Sequence, residues 1–306
     1  MSTDEPLVWL PFPADDLGDV PSGLRFEEVV PSGDALPASA AEVELLVPAY
    51  DWGADLEVLG RLPRLRVVQT LTAGIEHIRP FVPPGVTLCS GRGIHDTSTA
   101  ELALTLMLAS LRGIPDFVRG ADAHEWRYGP RPALADRRVV VIGSGAIGGA
   151  IRTRLEAFEA EPVMVGRAAR DGVHAVGELP ELLPDADVVV LVLPLTDDTR
   201  HLVDAAFLAR MKPGALLVNV ARGGVVDTDA LLTALREGRV RAALDVTDPE
   251  PLPPGHPLWD APGLLVTPHV GGASSAMWPR AHRLVREQLR RFAAGEPLLN
   301  QVTGAY

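Results

Sequence analysis

The chain has 306 residues, a formal net charge of −12 and one cysteine. This length is enough for two domains of ordinary size, and the acidic balance argues against general nucleic-acid binding, which needs a basic surface. A single cysteine excludes an intramolecular disulfide framework and favours the cytoplasm. We also expect no secretory signal, no membrane-spanning segment and no metal site, because the sequence shows none of the patterns typical of them.

The first hundred residues contain three apolar runs that predict strands. These runs are VELLVP (43–48), RLRVVQT (64–70) and VTLCSG (86–91). A turn, LTAGIEH, follows the second run, so Ala73 and Gly74 can present backbone N–H groups to a substrate carboxylate. Tyr50 and Trp52 follow the first run and are candidates for lining a pocket for an apolar side chain, although Trp52 fits a buried core position equally well.

The segment TSTAELALTLMLASLRGIPDFV (97–118) has the apolar spacing of one long helix. Thr97, Ser98 or Thr99 can cap its N-terminus. A stretch rich in proline and glycine, GPRPALADRR (129–138), then leads into the second half of the chain.

A glycine fingerprint lies between a strand and a helix in the middle of the chain. In RRVVVIGSGAIGGAIRTRLEAF the strand VVVIG leads into Gly143, Gly145 and Gly148 and then into a helical pattern. The first glycine permits a tight turn, the second lets a pyrophosphate approach the backbone, and the third allows the helix to pack closely on the strand. The N–H groups of the helix start, including those of Ala146 and Ile147, would face the diphosphate. The segment therefore predicts a dinucleotide-binding site.

The next predicted strand, EPVMVGR, should end at the adenosine ribose of such a cofactor, where binders of NAD usually carry a carboxylate. Here the strand ends at Arg167, with Arg170 three residues later, and no carboxylate follows before Asp171. A guanidinium at this point can pair with a 2′-phosphate through charge-assisted hydrogen bonds, although a solvated surface arginine is the alternative. We therefore expect NADP(H) to be preferred and NAD(H) to remain possible.

A fully apolar run, VVVLVLP, predicts another strand of the same sheet, and the loop after it lies where strand ends contact a cofactor. Pro194 and Thr199 in this loop are candidate contacts, with an ordinary loop as the alternative. Val220, which ends the next apolar run, and Ala221, which follows it, are also expected on the cofactor side.

Three further segments each follow an apolar run that predicts a buried parallel strand. They are NVARGG (219–224), LDVTDPEPL (244–252) and TPHVGG (267–272). Because ligands of doubly wound sheets bind beyond the carboxyl ends of the strands, Arg222, Asp245, Glu250 and His269 should converge on one crevice. A cation, carboxylates and an imidazole suit reversible proton transfer at a carbonyl that has a neighbouring carboxylate.

Together these motifs resemble the D-isomer-specific 2-hydroxyacid dehydrogenases, and more narrowly their glyoxylate/hydroxypyruvate reductase-like branch. The resemblance runs from VVQTLTAGIEHI to the end and is strongest over residues 138–272. It implies that Arg222 binds the substrate and that Glu250 orients the imidazole of His269, the proton donor. It also implies that Asp245 lies beside the nicotinamide carboxamide.

The resemblance implies the α/β fold class, with two Rossmann-like domains built on parallel sheets and the cofactor domain inserted in a discontinuous substrate domain. We expect residues 1–100 and 276–306 to form the substrate domain, because a C-terminal helix, MWPRAHRLVREQLRRFAAGEP, would return to it. Residues 101–275 would form the dinucleotide-binding domain. The helix predicted over 97–118 would contribute to a homodimer interface.

The expected reaction is the reversible reduction of a 2-oxoacid, such as glyoxylate, hydroxypyruvate or a larger keto acid, to the (R)-2-hydroxyacid with NAD(P)H. His269 would protonate the developing alkoxide, a contribution of roughly 10²–10⁴-fold. Two alternatives stay open. The same fold could oxidise another hydride donor, as formate and phosphite dehydrogenases do, which a substrate screen tests. It could also serve a dinucleotide-sensing, corepressor-like binding protein, which partner capture with and without cofactor tests.

Overall fold

A computed structural model describes residues 5–32, 35–50 and 55–303. The described residues up to His95 and from Ser275 onward form one compact unit, and Asp96–Ser274 form another. Each unit is built on its own parallel sheet, so the predicted α/β fold class is confirmed. Trp52, a candidate pocket residue above, lies outside the described residues.

The first unit has a five-stranded parallel sheet in the order β2-β1-β3-β4-β5. Its strands are β1 Leu7–Leu10, β2 Arg25–Glu28, β3 Val43–Leu46, β4 Val67–Gln69 and β5 Thr87–Cys89. Short 3₁₀ helices lie at Ala14–Leu17, Ala38–Glu42, Glu57–Arg61 and Arg79–Phe81. β1 lies next to the edge strand β2, and the order in which the strands are added reverses between β1 and β3. At such a switch point the loops of a doubly wound sheet leave a crevice.

The second unit has a seven-stranded parallel sheet in the order β12-β11-β10-β9-β6-β7-β8. Its strands are β6 Arg138–Ile142, β7 Glu161–Gly166, β8 His174–Ala175, β9 Val188–Leu191, β10 Leu216–Asn219, β11 Arg241–Leu244 and β12 Leu264–Val266. Its helices are α1 Asp96–Arg112, α2 Ile114–Asp122, α3 Ala146–Ala157, α4 Leu179–Leu182, α5 Ala205–Arg210 and α6 Thr228–Arg236. Short 3₁₀ helices lie at Val176–Glu178, Leu183–Asp185, Gly223–Val225 and Pro257–Asp260.

Both faces of this seven-stranded sheet are buried, which explains why its strands are continuous apolar runs. Successive residues of β6 point to opposite faces. Val139 and Val141 join the core beneath α1 and α3, whereas Val140 and Ile142 join the core beneath α5 and α6. An uninterrupted VVVI segment therefore serves two cores at once.

The last helix, α7 (Met277–Ala294), belongs to the first unit. Its deeply buried apolar side chains are spaced four residues apart and so share one face. They are Met277, Ala281, Val285 and Leu289. This face packs in the same core as Val8 and Leu10 of β1. Burying each of the larger side chains contributes roughly 1.5–3 kcal/mol, which holds the C-terminal segment in the first unit.

An ionic cluster connects the amino ends of three strands in the second unit. Asp187, directly before β9, accepts hydrogen bonds from Nζ of Lys212 (2.7 Å), Nη1 of Arg137 (3.2 Å) and the amide of Arg138 (3.1 Å). Burial alone would raise the pKa of the Asp187 carboxyl, but the hydrogen bonds from Lys212 and the Arg138 amide outweigh burial and hold that pKa below its usual value. The cluster thus joins the starts of β6, β9 and β10.

All nine strands predicted from apolar runs are present. The sequence patterns miss β1, β2 and β8. β1 is a run of only four residues, LVWL, and β2 is the polar segment RFEE at the edge of its sheet, where one side stays partly exposed. β8 has two residues. A polar segment or a strand of two residues does not show the hydrophobic pattern that predicts a strand, whereas β1 is as apolar as the predicted runs and could have been found in the same way.

The single helix predicted over 97–118 is wrong. The segment forms two helices, α1 and α2, which are separated by Gly113. Gly113 has φ of 67°, a left-handed conformation that ends the first helix. Pro115 lies in the first turn of α2, where its missing N–H has no partner to lose. α1 also begins at Asp96, before the predicted capping residues.

Within residues 5–32, 35–50 and 55–303, no helix has the length and apolarity needed to cross a membrane. The same residues contain no group of three or more His, Cys, Asp or Glu side chains placed to hold a metal ion.

Candidate active site

Five loops leave the same edge of the seven-stranded sheet side by side. The ends of the neighbouring strands are in register: Leu191 of β9 pairs with Ile142 of β6 and with Asn219 of β10. Leu244 of β11 in turn pairs with Asn219 and with Val266 of β12. Because neighbouring strands lie about 4.8 Å apart, the loops that follow them form one row.

The last two loops of this row carry an imidazole–carboxylate pair. Nδ1 of His269 lies 2.5 Å from Oε1 of Glu250, and each side chain is 27% exposed. A carboxylate oxygen accepts, so Nδ1 carries the proton of this bond and proton exchange with a ligand falls to Nε2. The fold therefore brings together two predicted residues that are 19 positions apart in the chain.

Asp245 holds the loop that carries His269. Its side chain is buried, and Oδ1 accepts hydrogen bonds from Oγ1 of Thr267 (2.7 Å) and the amide of Val270 (2.9 Å). Its Oδ2 accepts from the amide of Gly271 (2.9 Å), and its backbone carbonyl accepts from the amide of His269 (2.7 Å). These bonds fix a loop in which His269 has φ of 53°, a conformation that costs a non-glycine residue about 1–2 kcal/mol. A contact between Asp245 and a nicotinamide carboxamide stays a prediction.

Arg222 lies on the turn that follows β10. Its Nη1 donates to the carbonyl of Ala221 (2.7 Å). The buried side chain of Asn219 holds this turn, because its Nδ2 donates to the carbonyl of Arg222 and its Oδ1 accepts from the amide of Ala221, both at 3.0 Å. The sequence reasoning missed Asn219. Its place directly before the arginine turn was the available signal, since asparagine side chains bond to the backbone of turns.

The glycine-rich turn after β6 has the shape of a diphosphate cradle. Gly143 has φ of 121°, and a Cβ on Gly148 would lie 1.9 Å from the carbonyl oxygen of Gly143, so neither position accepts a side chain. A Cβ on Gly145 would meet no atom within 4 Å, so this residue faces open space at the start of α3, where Ala146 and Ile147 form the first turn. Helix N–H groups point into that space, and these residues therefore fit a dinucleotide cofactor.

Two arginines follow β7, next to the glycine-rich turn. Arg167 and Arg170 are both exposed. Nη2 of Arg170 donates to the hydroxyl oxygen (2.7 Å) and the carbonyl oxygen (3.0 Å) of Ser144. A guanidinium and a hydroxyl therefore lie together at the strand end where the adenosine ribose is expected. The sequence reasoning missed Ser144, the middle residue of the GSG turn.

The loop after β9 is closed by its own groups. Oγ1 of Thr199 donates to the carbonyl of Pro194 (2.7 Å) and accepts from the amide of Thr196 (2.7 Å). Thr199 therefore stabilises its loop, and cofactor contacts of Pro194 and Thr199 stay predictions. Val220 and Ala221 are buried at the Arg222 turn, so a cofactor contact there would have to involve their backbone groups.

In the first unit, the loop after β4 carries Ala73 and Gly74. The carbonyl of Thr72 accepts hydrogen bonds from the amide of Gly91 (2.7 Å) and from Oγ1 of Thr70 (2.8 Å). The C=O and N–H groups of a trans peptide point in opposite directions, so the Ala73 amide points away from these bonds. The carbonyl of Gly74 is held by the Thr72 hydroxyl (2.7 Å). A backbone N–H group directed like that of Ala73 suits a carboxylate, although carboxylate binding by Ala73 and Gly74 stays a prediction.

A doubly wound parallel sheet with a turn that fits a diphosphate, and an imidazole–carboxylate pair in the same row of loops, is the arrangement of a dinucleotide-dependent dehydrogenase. Comparison with known proteins identifies the family. Residues 104–271 match the family model described as D-isomer specific 2-hydroxyacid dehydrogenase, NAD binding domain. The glyoxylate reductase of Aeropyrum pernix is 32% identical over 283 residues, which cover 87% of this chain and 84% of that protein.

Solved structures agree with this assignment. A D-isomer specific 2-hydroxyacid dehydrogenase from Xanthobacter autotrophicus, in complex with NADPH and MES, matches with a TM-score of 0.82 and 33% identity over 98% of each chain. An NADPH-dependent glyoxylate/hydroxypyruvate reductase from Sinorhizobium meliloti, in complex with NADP and sulfate, matches with a TM-score of 0.79 and 29% identity over 97% of this chain and 98% of that one. The chain belongs to the D-isomer-specific 2-hydroxyacid dehydrogenase family and is an NAD(P)-dependent oxidoreductase, which confirms the resemblance found in its sequence.

Proposed function

We propose that this chain is an NADPH-preferring reductase that converts a 2-oxoacid to the (R)-2-hydroxyacid, with glyoxylate, hydroxypyruvate or a larger keto acid as its substrate. The observation that carries the proposal is the 2.5 Å pair of His269 and Glu250 in the same row of loops as Arg222. The relatives support it, because the A. pernix protein is a glyoxylate reductase and the S. meliloti protein is an NADPH-dependent glyoxylate/hydroxypyruvate reductase.

In this reaction, Arg222 binds the substrate carboxylate or polarises the ketone oxygen through its planar guanidinium. The amides of Ala73 and Gly74 also bind the carboxylate. His269 donates its Nε2 proton to the ketone oxygen as that oxygen gains negative charge, a contribution of roughly 10²–10⁴-fold. Glu250 keeps the ring in position through Nδ1. The reduced nicotinamide, when bound, supplies the hydride that the chain itself lacks.

The test mixes the purified protein with NADPH or NADH and a panel of 2-oxoacids, and follows the loss of reduced-nicotinamide absorbance. We expect turnover that falls by about 10–100-fold in Glu250→Gln, because a neutral amide no longer makes the charge-assisted hydrogen bond that holds the ring of His269 in position. The matched control is Glu178→Gln, which alters another glutamate bonded to a histidine Nδ1, that of exposed His174 (2.7 Å), and should leave turnover unchanged. No turnover with any acid, despite measurable cofactor binding, would refute the proposal.

The preference for NADPH follows from the arginines that succeed β7. A 2′-phosphate at this strand end would accept charge-assisted hydrogen bonds from Arg167 and Arg170, and the Ser144 hydroxyl beside Arg170 adds a neutral donor. One such bond is worth roughly 1.5–3 kcal/mol, or about 10–150-fold in affinity.

Arg167→Asp tests the preference for NADPH. We expect this variant to weaken NADPH binding by about 10–150-fold and NADH binding much less. The control Arg152→Ala removes an exposed arginine that pairs with Glu156 on α3 and should weaken neither. Equal losses for the two cofactors in Arg167→Asp would contradict the 2′-phosphate role.

The proposal extends to the roles of the units and to assembly. We assign substrate binding to the first unit, dinucleotide binding to the second, and a homodimer to the protein in solution. Trp126 and Tyr128 are 94% and 91% exposed, and exposed aromatic side chains are typical of protein interfaces. Light scattering that gives the mass of one chain would contradict the dimer. The cytoplasmic location stays a prediction from the sequence.

A further inference from the structure

The loop of residues 70–74 in the first unit is packed against the segment that follows β5. The amide of Gly91 donates to the carbonyl of Thr72 (2.7 Å), and Nε2 of Gln69 donates to the carbonyl of Ser90 (3.2 Å). Gly91 has no room for a side chain, because a Cβ there would lie 2.6 Å from the carbonyl group of Leu71. The two segments therefore meet backbone against backbone.

His95 adds a side-chain hydrogen bond to the same loop. Its Nε2 lies 2.8 Å from the carbonyl oxygen of Leu71, and since a carbonyl can only accept, Nε2 is the donor. The imidazole is 6% exposed. The ring of Tyr50 lies beside it, with a centroid distance of 5.4 Å and an interplanar angle of 31°. A hydrogen bond shielded from water in this way is costly to remove, because a buried carbonyl loses its partner.

This bond acts next to the proposed carboxylate site. The carbonyl of Leu71 is held by His95, and the following carbonyl, that of Thr72, is held by Gly91 and Thr70. With two successive carbonyls held, the backbone between them has little freedom to rotate. The direction of the Ala73 amide, which is opposite to the Thr72 carbonyl, is thus set in part by the imidazole.

We infer that His95 is a positioning residue for the reduction: it holds loop 70–74 in the conformation that binds the substrate carboxylate. The inference rests on the proposed function, because it gives this loop the carboxylate to bind. Loss of the imidazole donor should weaken binding of the 2-oxoacid. It should not weaken binding of the cofactor, whose proposed site lies in the second unit.

The experiment compares His95→Phe, which keeps a ring beside Tyr50 but has no donor, with His95→Gln, whose amide nitrogen can take the place of Nε2. In His95→Phe we expect the KM for the best 2-oxoacid to rise about tenfold, as one lost buried hydrogen bond implies. The kcat should change less than about threefold, and the Kd for NADPH should stay the same. His95→Gln should recover most of the change in KM.

The matched control is Asn300→Ala. This variant removes a side-chain donor to the carbonyl of Arg92 (2.9 Å). Arg92 lies in the segment that follows β5 and is outside loop 70–74. Its KM should equal that of the wild type. A KM in His95→Phe within about twofold of the wild-type value, or an equal rise in KM in Asn300→Ala, would overturn the inference.

Hydrogen exchange of the same variants separates failure of this inference from failure of the proposed function. The amides of residues 70–76 should exchange faster in His95→Phe than in the wild type and recover in His95→Gln, whether or not any acid is reduced. If the wild type reduces no 2-oxoacid, the proposed function fails and exchange alone decides the role of His95; unchanged exchange overturns it. Should His95→Phe not fold, His95→Asn replaces it, because its shorter amide cannot reach the Leu71 carbonyl.

Discussion

Replacing Asp245 with asparagine tests whether this carboxylate holds His269 in place. The substitution keeps the shape of the side chain but turns one acceptor oxygen into a donor. If the remaining oxygen stays at the Oδ1 position, where it serves Thr267 and Val270, the new NH₂ group faces the amide of Gly271, which donates across 2.9 Å in the wild type. Two donors cannot bond to each other, and a buried unsatisfied group costs about 1–3 kcal/mol. The bonds from Thr267 and Val270 also lose the help of the negative charge. The free energy of unfolding should therefore fall by about 2–4 kcal/mol.

Urea unfolding and steady-state kinetics measure the two consequences. We expect kcat to fall by about 10²-fold, because a shift of about 1 Å in a catalytic group can have that effect. The control is Asp204→Asn: this residue caps α5 by accepting from the amide of Phe207 (2.8 Å), and asparagine caps a helix as well as aspartate does. Wild-type stability and turnover in Asp245→Asn would show that the carboxylate does not position His269.

Three further predictions concern single residues. His269→Ala should lower kcat by roughly 10²–10⁴-fold and leave the Kd for NADPH unchanged in a fluorescence titration; near-normal turnover would contradict the mechanism. Burial raises the pKa of the Cys89 thiol to about 12, so a thiol reagent at pH 8 should label it only after unfolding in urea, and rapid labelling of the native protein would argue against this burial. Because the folded pKa of Asp187 is lowered, its stabilisation is complete above the unfolded value of about 3.9 and is lost as the pH falls through the folded pKa. Asp187→Asn should therefore lower the free energy of unfolding by about 1–2 kcal/mol at pH 7, and in urea titrations its difference from the wild type should narrow below about pH 4.

The strands of the second unit other than β8 were predictable because the faces of its sheet are buried, so each of them contains an apolar run. β2 was not, because it lies at the edge of the smaller sheet and its sequence, RFEE, shows no apolar pattern. The sequence did contain a signal for the break between α1 and α2, but the prediction of one helix followed the apolar spacing instead. Gly113 and Pro115 stand within three residues of each other, and a left-handed glycine followed by proline ends one helix and starts the next.

The residues of the candidate site also differ in how far the sequence predicted them. Arg222 and His269 were predicted as site residues because each closely follows an apolar run, and the carboxyl ends of parallel strands meet at one edge. Contacts between residues that lie far apart in the chain left no local pattern. His95 and the Leu71 carbonyl are 24 positions apart, and Arg170 and Ser144 are 26 apart. Such contacts depend on how loops pack, which spacing along the chain does not encode.

The ionic cluster at the amino ends of β6, β9 and β10 has a practical use, since Lys212 is the only lysine in the 306 residues. Once the α-amino group is blocked, a support that couples amines would attach every molecule through this one side chain. The Arg222 turn lies at the other end of β10, about 13 Å away along a strand of four residues. Immobilised copies would therefore share one orientation, with the row of loops facing the solution. Lys212→Arg can keep the bond to Asp187 but would not couple through this position. It therefore serves as the negative control for coupling.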